Sequence, residues 1–352
     1  MGVYDIEICS IQLDLASERR LVENFLASQQ LKLDPDVDYS LIVKSGGMLV
    51  GTGSLAGNVL KCIAVDPASQ GEALTNKSIA ELELEAYHRG IDHLFLFTKA
   101  HNRAVFQSLG FGLVSESAAA GIVLLEKPDG HVDEWLRGLS GSTTGGPSTA
   151  LVMNGNPFTL GHRYLVEQAS QRAAAAGETV HLFVVAAEKS LFPEQVRFRL
   201  VQAGTADLPN VQVHHGGPYI ISGATFPSYF LRDDEEVTAA HAGLDLQIFG
   251  EKIAPALDIR RRMVGEEPYC PVTAAYNREM QMILPHYGVE VEEIPRLSHA
   301  GAAVSASKVR ALIREDQWQA IKELVPAATW EYLNSPEAGP VVERIRRENR
   351  RH

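Results

Sequence analysis

The hydrophobic and polar positions of this 352-residue chain follow two different periodic patterns, one in each of two parts of the sequence. In the first part, short alternating runs are separated by turns that contain Gly or Asn, which is typical of antiparallel strands. Helical spacing alternates with some of these runs, and we expect a mixed α+β domain over residues 1–137. The predicted strands are 5–13, 39–43, 48–55, 59–65, 91–97, 111–115 and 121–125. The predicted helices are 76–89, 101–109 and, before them, one capped by Ser17 that carries Leu21, Val22, Phe25 and Leu26 inward.

The second part alternates apolar runs with longer helical patterns, which favours a doubly wound parallel α/β sheet of the Rossmann-like type. Residues 138–149 have almost no apolar side chains and are rich in Gly, Ser and Thr, so we predict a flexible linker there. The second domain then covers residues 150–352, with its ligand at the carboxyl ends of the strands. The predicted strands are 151–153, 180–186, 211–214, 246–249 and 262–265.

Composition excludes several classes of protein and partner. The net charge is −12, and an acidic protein lacks the basic face that a nucleic-acid partner requires. Three cysteines without a C-x-x-C pair indicate neither a disulfide framework nor a cysteine-rich zinc site. The sequence contains no signal-peptide pattern and no apolar run near the length of a membrane span. We therefore expect a cytoplasmic protein with no membrane partner.

The candidate binding loop follows the first apolar run of the second part. Turn residues lead into a helical pattern that extends to about Ala176, so donors collect at the positive end of a helix dipole. Gly161 has no Cβ to obstruct a ligand, and His162 lies in the first helical turn, where the dipole depresses the pKa of an imidazole. This arrangement suits a polyphosphate. The loop residues predicted to bind ATP are Asn154, Asn156, Phe158 and Gly161.

Two motifs resemble the paired signatures of the nucleotidyltransferase superfamily. Thr159–His162 reads T-L-G-H, similar to [HT]-x-G-H, and Val304–Arg310 reads V-S-A-S-K-V-R, similar to I-S-S-T-x-x-R. Their order and domain-scale spacing predict one nucleotide site. The resemblance implies phosphate-binding roles in the second motif for Ser305, Ser307, Lys308 and Arg310.

Further candidates follow other strands of the second domain. Lys189 could reach the substrate acid or the α-phosphate, although a solvated loop lysine explains it equally well. Gly265 and Glu266 end a strand near the predicted crevice and could hold the adenosine, or form a plain turn. His214 and His215 are strand neighbours that face opposite sides, so we do not count them as metal ligands. No tightly bound protein metal is predicted.

The first part resembles the GNAT acetyltransferase fold over about residues 1–130, on V-D-P-A-S-Q-G before the central helix and H-N-R-A-V-F-Q-S-L-G-F after the next strand. It departs from that family where [QR]-x-x-G-x-[GA] would cradle a coenzyme A pyrophosphate. There the chain reads Q-G-E-A-L-T at 70–75, with side chains at both small positions and an added negative charge from Glu72. We expect docking rather than acetyl transfer.

Over nearly its whole length the chain resembles the citrate lyase ligase family, on the GNAT-like domain, N-P-F-T-L-G-H-R-Y-L-V-E-Q-A, V-G-E-E-P, Y-N-R-E-M, E-I-P-R and V-S-A-S-K-V-R. The resemblance implies that ATP, accompanied by Mg²⁺, activates acetate to acetyl adenylate and pyrophosphate. The acetyl group then passes to the prosthetic-group thiol on the acyl carrier subunit of citrate lyase.

The candidate residues fit this chemistry. A carboxylate with a pKa of about 4 is already an anion at neutral pH, so attack on the α-phosphorus needs no general base. We expect His162, Thr159 and Arg310 to be the catalytic residues, stabilising the charge that spreads toward the leaving pyrophosphate. Two alternatives stay open: a nucleotidyltransferase that adenylates a phosphate ester, and a non-catalytic nucleotide-binding module. The residues alone do not identify the acid, the oligomeric state, the carrier's docking surface or the role of the GNAT-like domain.

Overall fold

A computed structural model describes residues 6–69, 72–117, 121–141, 145–186, 190–223, 225, 235–268, 270–299 and 301–348. The chain forms two compact units, Met1–Asp133 and Glu134–His352. Within the described ranges, no helix is long and apolar enough to cross a membrane.

The amino-terminal unit is built on one mixed sheet. Its strands are β1 (Ile6–Ile11), β2 (Tyr39–Ser45), β3 (Met48–Ala56), β4 (Val59–Val65), β5 (Leu94–Lys99), β6 (Gly112–Ser117) and β7 (Ile122–Lys127). Its helices are α1 (Ala16–Ser28), α2 (Glu72–His88) and α3 (Arg103–Ser108), and α4 (His131–Ser140) begins at its end. The sheet order is β1-β2-β3-β4-β5-β7-β6, and only the β4–β5 step is parallel among these pairs. This confirms the predicted GNAT-like α+β domain.

Helices cover the sheet of this unit through separate apolar clusters. Leu82 of α2 and Phe106 of α3 pack with buried strand residues such as Leu41. Val22 and Leu26 of α1 belong to a second cluster. Alternating side chains of a strand face opposite sides of the sheet, so the alternation in the sequence supplies both clusters.

The predicted linker differs from the structure at both ends. α4 continues to Ser140, whose hydroxyl donates to the carbonyl of Ala256 at 3.1 Å. The next strand begins at Ser148, whose hydroxyl donates to the carbonyl of Leu257 at 2.8 Å. Small polar residues that suit a solvated linker are therefore bonded within the carboxyl-terminal unit. Residues 142–144 lie outside the described residues, and a flexible connection there stays a prediction.

The carboxyl-terminal unit is a parallel sheet with helices around it. Its strands are β8 (Ser148–Met153), β9 (Thr179–Val184), β10 (Val211–His215), β11 (Ile259–Gly265) and β12 (Glu290–Ile294), with a small antiparallel pair β13 (Ser298–His299) and β14 (Ala302–Ala303). Its helices are α5 (Leu160–Ala176), α6 (Glu194–Gly204), α7 (Glu235–Ile248), α8 (Ala254–Ala256), α9 (Pro271–Ile283), α10 (Ala306–Arg314), α11 (Trp318–Lys322), α12 (Ala327–Leu333) and α13 (Gly339–Arg347).

The strand order of the large sheet predicts where a ligand crevice should lie. The order is β10-β9-β8-β11-β12, and each neighbouring pair is parallel. The chain winds outward from β8 in one direction and from β11 in the other, so these strands flank the topological switch point. The doubly wound parallel sheet is confirmed.

The predicted strand at residues 246–249 is wrong. Residues 246–248 end α7, and a π-helical turn follows at Phe249–Ile253. Leu246, Ile248 and Phe249 are buried while Gln247 between them is only half-buried, so the end of this helix reads as the apolar and polar alternation of a strand. The strand in the sheet is instead β12, whose sequence E-V-E-E-I is charged because it lies at the sheet edge.

Candidate active site

A cleft of about 230 Å³ opens at the carboxyl ends of β8 and β11. Its floor includes Met153 at the end of β8 and Val264 near the end of β11, so it lies at the switch point of the sheet. Both sequence motifs contribute to its walls. The predicted residues that line it are Asn154, Asn156, Gly161, His162, Gly265, Ser305, Ser307 and Arg310.

Close backbone packing brings the two motifs together. A Cβ added to Gly161 would lie 2.4 Å from the carbonyl oxygen of Val304, far inside van der Waals contact. Glycine is therefore required for α5 to begin directly against the segment that leads into α10. Thr159 and Ser305 cap these two helices, each accepting a backbone N–H from three residues further on. Two positive helix ends consequently border one cleft.

His162 is held in one tautomer. The backbone N–H of Thr159 donates to its Nδ1 at 3.1 Å, and the Thr159 hydroxyl lies 2.9 Å from the same atom. Burial, with the charges of Arg296 and Arg310, lowers the pKa of His162 to about 4. The ring is thus neutral at pH 7, and because Nδ1 accepts, its proton lies on Nε2. His162 can donate to an anion without being a cation.

The binding loop is fixed from behind by a fully buried arginine. Arg197 donates to the carbonyls of Asn154 and Val185 at 2.8 and 2.6 Å, and its Nη1 also lies 2.9 Å from Asn154 Oδ1. Burial lowers the pKa of Arg197 to about 10, against a smaller opposing effect of Glu194. The guanidinium remains charged at neutral pH and holds loop carbonyls that would otherwise face inward unbonded.

Asn156 is bonded on one side of its amide. Its Oδ1 accepts the backbone N–H of Phe192 at 3.0 Å. Its Nδ2 is buried and has no hydrogen-bond partner within the described ranges. Because Asn156 lines the cleft, this amide can donate to a ligand there.

Two arginines face the cleft from different elements. Arg310 of α10 is buried, and its Nη1 donates to the carbonyl of Asn156. Arg296, just beyond β12, donates from Nη2 to Glu267 at 2.6 Å and from Nε to the carbonyl of Glu266. The other oxygen of Glu267 accepts the backbone N–H of Cys270 at 3.0 Å. Both guanidinium groups are therefore oriented before any ligand binds.

Several predicted residues lie elsewhere. Thr159 is fully buried and bonded to the His162 ring, so it orients the histidine instead of facing a phosphate. Phe158 is also fully buried, where it packs in the core and stacks on His162 with ring centroids 5.8 Å apart. The side chains of Glu266 and Lys308 are exposed and do not line the cleft. Lys189 lies outside the described residues.

Several residues that line the cleft were not predicted from the sequence, above all Arg296. Its motif E-I-P-R was noted without a role, because β12 was not predicted as a strand. Once the strand is known, a charged residue directly after its carboxyl end is a strong candidate for the ligand crevice. The other residues missed include Tyr164, Leu165, Cys270 and Thr273.

Taken together, two helix amino-termini, two oriented guanidinium groups and a neutral imidazole N–H surround one small cleft. Such a set binds a polyphosphate and stabilises negative charge that moves along it. A carboxylate substrate would need no general base here.

Comparison with known proteins gives consistent results. The family model for the citrate lyase ligase C-terminal domain matches residues 148–333. The [citrate [pro-3S]-lyase] ligase of Klebsiella pneumoniae is 43% identical over 320 residues, which cover 90% of this chain and 92% of that protein. The Escherichia coli (strain K12) protein of the same name is 38% identical, covering 89% and 90%.

A solved putative acyl-CoA N-acyltransferase from Klebsiella pneumoniae subsp. pneumoniae aligns with 35% of this chain and 97% of its own length. It is 25% identical with a TM-score of 0.29.

Proposed function

The chain belongs to the citrate lyase ligase family, and from this membership we propose that it activates acetate with ATP and acetylates the acyl carrier subunit of citrate lyase. The acetyl acceptor is the thiol of the carrier's prosthetic group, and its acetylation activates citrate lyase. The enzyme is accordingly an acid–thiol ligase that produces AMP and pyrophosphate.

In the first step, an acetate oxygen attacks the α-phosphorus of ATP. The bond from that phosphorus to the oxygen bridging the α- and β-phosphates breaks, and acetyl adenylate and pyrophosphate form. His162 Nε2–H, Arg296 and Arg310 would stabilise the charge that moves to the pyrophosphate. Mg²⁺ would accompany ATP as part of the substrate, because a triphosphate carries more negative charge than two guanidinium groups neutralise.

The observation that carries this proposal is the junction of the two motifs at Gly161. Because α5 begins against the carbonyl of Val304, the donors of the first motif and the arginine of the second reach the same phosphate groups. Separate capped helices would not require this contact. Ser305 and Ser307, whose hydroxyl oxygens are 3.0 Å apart, border the same cleft and are proposed phosphate ligands, as are Asn154 and the amide of Asn156.

In the second step, the carrier thiolate attacks the acyl carbon. The carbon–sulfur bond forms, the bond from the acyl carbon to the phosphate oxygen breaks, and AMP leaves. A thiol with a pKa of about 8.5 is a much better nucleophile as its anion, and its proton passes to solvent. No covalent enzyme intermediate is needed.

We assign the carrier arm to the amino-terminal unit. In that unit β4 and β5 pair with each other only through Val59–Phe95 and Leu60–Leu96, so the parallel ladder between them ends early in both strands. An extended pantetheine-like arm would lie beyond the end of this ladder. The Q-G-E-A-L-T segment, whose first two residues lie outside the described ranges, lacks the bare backbone that free coenzyme A would need.

Exchange of labelled pyrophosphate into ATP tests the reaction class. We expect exchange that depends on acetate, measured over several small carboxylic acids and one phosphate ester. Exchange that requires the phosphate ester would make the enzyme a nucleotidyltransferase instead. ATP binding without any exchange would support a non-catalytic module.

A further inference from the structure

Three potential metal ligands meet in the amino-terminal unit, away from the nucleotide cleft. Among the described residues, His93, Glu126 and His131 each offer a ligand atom, and these atoms all lie within 4.8 Å of one another. His93 directly precedes β5, Glu126 lies in β7, and His131 begins α4. The topology thus joins two strands and a helix at one point of the fold.

The three side chains are largely enclosed. His93 is 8% exposed and Glu126 is 1% exposed, while His131 is half-buried. The two imidazole rings stack with centroids 3.8 Å apart and planes 25° apart, and Phe95 packs against His93 at 4.3 Å. Enclosure on this scale fixes the rotamers and limits competition from water.

Hydrogen bonds orient the carboxylate between the rings. Glu126 Oε2 lies 2.9 Å from His93 Nε2, and Glu126 Oε1 accepts the backbone N–H of Val132 at 2.9 Å. The Val132 bond supports the second oxygen, as outer partners of metal-ligating carboxylates do. One carboxylate oxygen therefore remains directed at the histidines.

We propose that His93, Glu126 and His131 bind one divalent transition-metal ion, with Zn²⁺ the best match. Two imidazoles and a carboxylate form a common zinc ligand set, which leaves a fourth position for water. Bond lengths of about 2.0 to 2.2 Å require the stacked rings of His93 and His131 to rotate so that one nitrogen of each points at the ion. Imidazole ligands disfavour Mg²⁺, which prefers oxygen, so this ion is distinct from the metal that accompanies ATP.

Binding at this site has a structural consequence. The ion would add a link between the first residue of α4 and the paired strands β5 and β7, which Glu126 already bonds to α4 through the N–H of Val132. The ligands were not recognised in the sequence because they are far apart, with His93 and Glu126 separated by 33 positions.

Titration of the full-length, chelator-treated protein with Co²⁺, followed by visible absorbance, tests the proposal. We expect one equivalent to bind with the bands of a low-coordinate cobalt site, and Zn²⁺ to displace it. Glu126→Gln keeps the size of the side chain and the oxygen that accepts from Val132, and His131→Asn changes a half-buried side chain, so both should stay folded by circular dichroism. Each should weaken binding at least tenfold.

The matched control is His101→Asn, which changes an exposed histidine of the same unit and should bind like the natural protein. Absence of a cobalt band in the natural protein would overturn the proposal. So would an unchanged titration in folded Glu126→Gln and His131→Asn, since binding would then occur elsewhere.

Discussion

Two buried arginines hold loop carbonyls beside the cleft in the carboxyl-terminal unit, whereas two buried serines of the amino-terminal unit bond each other inside the sheet. Arg197 and Arg310 donate to loop carbonyls beside the cleft. Ser40 and Ser54 instead bond each other at 2.6 Å across β2 and β3. Buried polar groups destabilise a fold unless they are bonded, so their placement reveals which loops are held rigid. Rigid loops occur where we propose the chemistry.

The first turns of α5 and α2 differ in their small residues. Gly161 is a glycine where a backbone approaches closely, but Ala73 and Thr75 stand where an acetyltransferase of the GNAT type would have glycine and a residue no larger than alanine. We propose that the coenzyme A site is lost here while the strand order of the fold is retained. We infer that one unit performs the adenylation and the other receives the carrier arm.

Replacing His162 by Ala should cause the largest loss of activity among the changes that test this difference between the units. It removes a donor to developing charge, and comparable losses reduce the rate by about 10²- to 10³-fold, or about 2.7 to 4 kcal/mol. ATP affinity should change less. Initial rates of pyrophosphate exchange measure this, with His286→Ala, an exposed histidine of the same unit, as the control. Unaltered exchange in His162→Ala would remove the histidine from the mechanism.

Gly161→Ala should have the second largest effect. Its Cβ would meet the carbonyl of Val304 at 2.4 Å, so the two motif segments must separate, at a cost of about 1 to 3 kcal/mol in the free energy of unfolding. Chemical denaturation and exchange rates should both report the change. Gly339→Ala, where a Cβ meets nothing within 4 Å, is the matched control. Equal stability of the two variants would contradict the proposed junction.

A smaller effect concerns pH. The pKa of His162 is lowered from 6.5 to about 4, so between these values the unfolded chain binds more protons than the folded one. The contribution of His162 to stability is complete above pH 6.5 and decreases as the pH falls toward 4. Denaturation midpoints of the natural protein and His162→Gln should converge over this window on acidification. Parallel curves would show that the ring is not held neutral.

The last prediction is a negative result. Calorimetry should detect no tight binding of acetyl-CoA to the amino-terminal unit. Side chains at Ala73 and Thr75, with the charge of Glu72, oppose a pyrophosphate in that segment. Micromolar affinity, about −8 kcal/mol, that disappears on mutation within residues 70–75 would erase the contrast between the two units.

Much of the fold could be predicted because alternation and helical spacing are local signals. The strands of the amino-terminal unit were recognised, as was α5, which ends at Ala176 before Gly177 in a left-handed conformation. Local signals failed at two segments: residues 246–249 were predicted as a strand but belong to a helix and a π-helical turn, and the strand β12 was not predicted. The end of α7 alternates apolar and polar residues as a strand does, and the edge strand β12 is charged instead of apolar, so neither segment carries its usual pattern.

The site was predictable where a motif specifies backbone geometry and less so where tertiary packing decides. Gly161, His162 and Arg310 line the cleft as expected. Thr159 matches the motif, but its side chain turns inward and bonds the His162 ring. The spacing of the two residues does not predict this orientation. Arg296 ends the E-I-P-R segment, to which the sequence assigned no role, and it reaches the cleft because it directly follows β12.

The division of work between the units is tested most directly by a chain that starts at Asp133. This start keeps Trp135, which packs on Tyr219 with ring centroids 5.2 Å apart, so the carboxyl-terminal unit retains α4 contacts. Acetate-dependent pyrophosphate exchange, acetylation of the carrier and thermal unfolding would be measured on the same preparation. We predict that exchange and the melting temperature are retained while carrier acetylation is largely lost. Full acetylation by the shortened chain would contradict the account, and a joint fall of all three would mean that the first unit only stabilises the second.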